Sequence, residues 1–255
     1  MELSSDLAFR GILPLVLHKV VHDKSVDWED VQESEFCKLL DFIGDRWIVP
    51  RLNWPREEPR WMLTFDDGNI SDYEVVFPLL IEKKIKATFF LIVNKIGSEG
   101  YLNWPQVLEM HRHGMCIGSH SFSHSRMKSL SKKDAIRELN DSKKIIEDFL
   151  SASVSSFSYP FGEYSLELNK LSIEAGYQFI FTSSHGILNS FSNIFPRNSI
   201  NSSMSWHSIV EEINPSPQKR LKWKVEDNFK KTIKSFFGQN NYIEIRNKIL
   251  NFNKK

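Results

Sequence analysis

Trp61-Met62-Leu63-Thr64-Phe65-Asp66-Asp67-Gly68 is the stretch whose reading decides the fold. Its first five residues form a strand-like apolar run, and the run stops at two adjacent carboxylates and a glycine. Successive side chains leave an extended backbone in opposite directions, so neighbouring carboxylates can serve two centres, one binding a metal and the other handling a proton. Standing alone, the same residues would read as an Asx-type turn after a strand.

Outward from this stretch, short apolar runs recur and alternate with polar segments of helical periodicity, the pattern of β/α units around a parallel sheet. Strands are expected at Ile12 to Leu17, Trp47 to Val49, Trp61 to Phe65, Ala87 to Val93, Met115 to Gly118, Val154 to Tyr159 and Tyr177 to Thr182. Between them, Asp72 to Lys84, Trp104 to Arg112 and Lys132 to Leu150 each gather apolar residues on one helical face. The series fits either a (β/α) barrel or a doubly wound sheet.

Two further strand ends carry chemistry. Gly118-Ser119-His120-Ser121-Phe122-Ser123-His124 offers two imidazoles four residues apart, which one helical turn would bring to the same side. Two neutral imidazoles and a carboxylate make the three-ligand set of a catalytic zinc-type site with an open position. The HExxH arrangement is excluded, because Ser121 stands where its glutamate would be. Phe157-Ser158-Tyr159-Pro160-Phe161-Gly162 ends a third run; proline fixes the backbone and glycine permits close approach, so the turn could present a backbone N–H to a developing oxyanion.

Composition sets broad bounds. With 255 residues, 41% hydrophobic and 25% charged, and a formal net charge of +1, the chain can bury a large core and has no global attraction to nucleic acid or anionic membrane. Cys37 and Cys116 build no disulfide framework and no close metal-ligand pair. Met1 to Arg10 shows no export signal and no window reaches transmembrane length, so the expectation is a cytoplasmic protein.

Taken in order, TFDDG, HSxxH and SYPFG resemble the motifs of the polysaccharide deacetylase family, the NodB-homology domain of carbohydrate esterase family 4. Leu17-His18-Lys19-Val20 is similar to the family's early YHxV segment, and the resemblance runs from about Leu15 to Ile200. It implies an α/β fold, a distorted (β/α) barrel with its motifs at the carboxyl ends of the strands. It also implies Asp67, His120 and His124 as ligands of a divalent metal such as Zn2+, Asp66 as general base, and the Phe161 N–H as oxyanion donor. The reaction implied is removal of an N-acyl group, most simply N-acetyl, from an amino sugar of a polysaccharide or of its lipid- or nucleotide-linked precursor. Deformylation on the same site, and a silent carbohydrate-binding homologue, are the alternatives; four intact residues, Asp66, Asp67, His120 and His124, argue against the second.

Two places depart from the family pattern. The arginine that orients the base falls on Ser158, and Arg197, in a late Pro196-Arg197 pair, is the candidate replacement. The histidine expected as catalytic acid is not found in its usual motif, leaving His207 and, behind it, His185. Trp54, Trp61, Trp104 and Trp206 could stack on sugar faces or belong to the core. The expected division is a catalytic domain over residues 1–214 and a basic helical extension over 215–255. From Lys219 to Lys255 that extension carries an excess of eight positive charges, either a solvated face packed on the barrel or a face for a lipid-linked or anionic substrate.

Overall fold

The computed structural model describes residues 7–22, 27–53, 58–190, 192–230 and 232. It separates into two compact units, Met1–Pro215 and Ser216–Lys255; in the second, the described residues are helical over 217–230. Trp54 and most of the basic tail lie outside the described residues.

The first unit is built on β1 (Ile12–Leu17), β2 (Lys19–Val21), β3 (Asp30–Gln32), β4 (Arg60–Phe65), β5 (Thr88–Leu91), β6 (Cys116–Ser119), β7 (Ser156–Ser158), β8 (Phe179–Phe181), β9 (Ile194–Phe195) and β10 (Asn198–Ser199). Eight of them form one parallel sheet in the order β10-β1-β4-β5-β6-β7-β8-β9; β2 and β3 pair separately. The helices are α1 (Glu33–Ile43), α2 (Phe77–Glu82), α3 (Trp104–Arg112), α4 (Lys132–Leu150), α5 (Leu166–Glu174) and α6 (Trp206–Ile213). Every residue of β1 is buried, as expected of a parallel strand covered on both faces.

The sheet order fixes the architecture. β9 and β10 occupy opposite ends of the sheet, yet only Pro196 and Arg197 separate them in sequence. A few residues reach about 10 Å at full extension, so the sheet must curl until its edges meet. The result is a distorted barrel with a two-residue seam, which decides between the two architectures left open by the strand pattern. Core residues from opposite walls meet inside it, including Ile12, Met62, Phe90, Phe181 and Phe195. The rings of Phe90 and Phe181 lie 5.0 Å apart and those of Phe181 and Phe195 4.8 Å apart.

Several elements differ from expectation. Trp47 to Val49 is not a strand; Trp47 makes one isolated bridge to Trp61. The helix expected over 72–84 opens as a π-turn at Asp72–Val76 before α2 begins, because Pro78 lacks an N–H and its ring crowds the carbonyl four residues back. Trp61 is fully buried and its indole N–H donates to the Ile213 carbonyl at 2.8 Å, so it belongs to the core. α3 and α4 match their expected bounds, α3 closed by a capping box between Asn103 and Gln106 and α4 capped by Ser131.

Candidate active site

The carboxyl ends of β1, β4, β6, β7 and the seam converge on one cluster. Asp66, directly after β4, is 3% exposed; Asp67, the next residue, turns out of the strand in the left-handed region with φ 79°. That turn undoes the alternation of an extended chain. The two carboxylates approach the same imidazole, with His120 Nε2 3.7 Å from Asp66 Oδ2 and 3.5 Å from Asp67 Oδ1.

His120 and His124 also meet by a different route from a helical turn. No helix follows β6; instead Ser121 (φ 69°) and His124 (φ 60°) are both left-handed and fold the segment back on itself, leaving the imidazole centroids 4.9 Å apart. The turn is pinned by Glu138 of α4, whose carboxylate accepts the Phe122 and Ser123 N–H groups at 2.9 and 2.8 Å and the Ser123 hydroxyl at 2.5 Å. Among the described residues, six non-glycine positions have positive φ, and four of them, Asp67, Ser121, His124 and Phe161, belong to this cluster. Backbone strain of this kind persists where surrounding contacts over-determine it, and it gathers at functional sites.

Asp67, His120 and His124 can each turn one ligand atom to a common point, all within 4.8 Å of one another. Their chemistry fits a divalent metal. Asp67 Oδ1 is buried without a hydrogen bond, His124 Nε2 lies 3.5 Å from it, and His120 Nδ1 is engaged by the Ser158 carbonyl at 2.8 Å, which leaves Nε2 as the free ring nitrogen. Burial and then the charge of His120 push the His124 pKa down to about 4, so this imidazole is neutral, the form that ligates metals.

Arg197 reaches the cluster from the seam. Its guanidinium forks onto Asp66, Nη1 to Oδ1 and Nη2 to Oδ2, both at 2.7 Å, while Nη2 also donates to the Ser158 hydroxyl at 2.8 Å and Nε to the Thr182 carbonyl at 3.1 Å. The residue is 2% exposed. Burial alone would raise the Asp66 carboxyl, but Arg197, and then His120, outweigh it and hold the pKa well below the usual carboxylate range. The small Ser158 thus leaves room for a guanidinium that arrives from another strand.

The two histidines suggested as proton donor lie in α6 and in a loop. His207, in the first turn of α6, has an 86% exposed side chain, and its ion-pair neighbour is Glu211, one helical turn along at 3.8 Å. His185 lies half-buried in the loop between β8 and β9. His18 lies beside the cluster. β1 and β4 pair in register up to Leu17 and Phe65, and the Asp66 N–H donates to the Leu17 carbonyl at 3.0 Å, so His18 and Asp66 leave the sheet side by side. Asp72, at the start of the π-turn, was also missed. It is fully buried, and burial, then the charges of Asp67 and Asp66, raise its pKa well above the carboxylate norm.

Phe161 stands on the outer side of the cluster with φ 59° and ψ 10°, its ring 46% exposed and 4.7 Å from that of His124. Gly162 follows with φ 63°; a β-carbon there would fall 2.3 Å from the Ser183 hydroxyl oxygen, so only glycine fits.

Comparison with known proteins converges on one family. The polysaccharide deacetylase family profile matches residues 54–180. YxkH of Bacillus subtilis (strain 168), named for the same family, is 34% identical over 125 residues, 49% of this chain and 45% of YxkH. The poly-beta-1,6-N-acetyl-D-glucosamine N-deacetylase of Staphylococcus aureus (strain MRSA252) is 25% identical over 158 residues, 55% of this chain and 51% of that protein. The chain therefore spans about half the length of these relatives, or less. In fold it is similar to the Streptococcus pyogenes deacetylase PplD in complex with acetate, with a TM-score of 0.72 and 23% identity over 80% of this chain and 99% of PplD. IcaB from Ammonifex degensii gives 0.69 and 22% over 82% and 100%.

Proposed function

Because the chain belongs to the polysaccharide deacetylase family, we propose that it is a metal-dependent hydrolase that removes N-acetyl groups from an amino-sugar polysaccharide. The observation that carries the reading is the Arg197–Asp66 fork set against the Asp67, His120 and His124 group. A purely binding site has no need of an ionised carboxylate held beside, and apart from, a ligand set.

Asp67, His120 and His124 would hold the ion, Zn2+ in our reading, which when bound supplies Lewis acidity toward the amide oxygen and acidifies water. Asp66, kept ionised by Arg197, receives a proton from the attacking water as the new C–O bond forms. The Phe161 N–H donates to the oxygen that becomes negative. His18 delivers a proton to the departing nitrogen as the C–N bond breaks, so acetate and a free amine leave together. Because His18 and Asp66 emerge from adjacent strands in register, donor and acceptor of protons are fixed by one stretch of β-ladder.

The test is acetate release from N-acetylglucosamine oligomers together with the metal content of the purified protein. Wild type is expected to hold one divalent ion and turn over, Asp66→Asn to retain the ion with turnover lowered at least about a hundredfold, and His124→Ala to lose the ion. Unchanged turnover in Asp66→Asn, or a wild type that takes up no metal, rules the mechanism out. The basic helix over 217–230 is read as a face for an anionic or lipid-linked form of the substrate, because Leu221, Val225 and Phe229 recur every fourth residue, each exposed, with Lys222 and Lys224 between them.

A further inference from the structure

The loop that carries His124 and the loop that carries Phe161 are joined by a contact that the reaction itself does not require. The Arg126 guanidinium lies 3.9 Å from the centre of the Phe161 ring, while its Nη1 pairs with the Glu163 carboxylate. The same ring also meets the His124 imidazole at 4.7 Å. Residues 124 and 126 of one loop thus interleave with 161 and 163 of the other, and the Phe161 ring touches both a metal-site histidine and a cation. The Glu163 side chain is 2% exposed and that of Arg126 30%, so the pair buries a charge at the rim of the site. A buried ion pair is weak evidence for stability, since desolvation offsets most of its attraction. What this one fixes is geometry.

We propose that Arg126 and Glu163 are positioning residues that clamp Phe161 in its left-handed conformation and so aim its N–H at the centre. The proposal rests on the deacylase reading, in which that N–H meets the developing oxyanion. A phenylalanine does not favour φ 59°, and Gly162 behind it is also left-handed, so the turn has an easier alternative in which the Phe161 peptide rotates away. Stacking on the guanidinium withholds that alternative from the ring. Only a planar cation can lie flat on an aromatic face and pair with a carboxylate in the same plane, so lysine is a poor substitute.

The variants are Arg126→Ala, Arg126→Lys and Glu163→Gln, each compared with wild type in kcat, KM, metal content and Tm. In the metal-free proteins the Phe161 amide is followed by nuclear magnetic resonance. All three are expected to lower kcat about tenfold or more, part of the loss on removing an oxyanion donor, with KM and metal content within twofold of wild type. The Phe161 amide resonance is expected to shift in each. Arg126→Lys recovering wild-type kcat would overturn the proposal, as would an unmoved amide in all three variants, or a kcat loss that follows loss of metal. If Arg126→Ala does not fold, the other two variants decide. A wild type that shows no acetate release defeats the deacylase reading, whereas the amide shift in metal-free protein still judges the clamp.

Discussion

Arg197 and Ser158 show how much rests on two side chains. Arg197 is buried with both ends of its fork on Asp66, so Arg197→Ala leaves an uncompensated carboxylate and is expected to destabilise by about 3–5 kcal/mol, read from denaturant titration. Ser158→Arg alone brings a second cation against the first, because Ser158 Oγ is 2.8 Å from Arg197 Nη2, and should lower Tm. In the double variant Ser158→Arg/Arg197→Ala one guanidinium again faces Asp66, and turnover should exceed that of Arg197→Ala by about tenfold, a coupling that a double-mutant cycle measures. Asp72 works against folding. Its native pKa is raised, so its contribution favours the folded state at low pH and is lost as pH rises from about 4 through the raised native value. Melting metal-free protein between pH 4 and 8 should show Asp72→Asn gaining on wild type as pH rises, by about 2–4 °C for each kcal/mol of repulsion removed. Asp66, Asp67, the two histidines and Arg197 were legible in sequence because each closes an apolar run or sits in a recognisable motif. His18 was quoted in its motif without a role, since its nearness to Asp66 depends on strand register, which no local pattern reports.

The turn after β6 departs from its sequence pattern for a physical reason. Four-residue spacing suits a helix, but Ser121 and His124 are both left-handed, and neither serine nor histidine takes that conformation often enough to announce it. Glu138, on the following helix, makes the turn possible. Glu138→Ala removes the acceptor of both N–H groups, and the expected outcome is metal affinity weakened about 10–100-fold, measured by competition with a chromophoric chelator. The π-turn before α2 was partly legible: Pro78 stands in the sequence, and its conflict with a continuous helix follows from its missing N–H. β9 and β10, at two residues each, have no periodicity to read.

For the whole molecule, the alternating runs gave a parallel α/β sheet but not its closure into a barrel, because closure depends on which strands become neighbours. No described helix is long and apolar enough to cross a membrane. The exposed Leu221, Val225 and Phe229 with Lys222 and Lys224 predict association with vesicles containing anionic phospholipid, weakened by salt and absent from neutral vesicles. Co-sedimentation of wild type and Lys222→Glu/Lys224→Glu checks this; equal binding to both vesicle types would refute it. The seam also orders events during synthesis. Arg197 enters the site from the last stretch of the barrel to be made, so a ribosome must deliver the chain past Ser199 before Asp66 acquires its guanidinium. Until then Asp66 lacks the cation that holds it ionised, so a half-made chain has no prepared base.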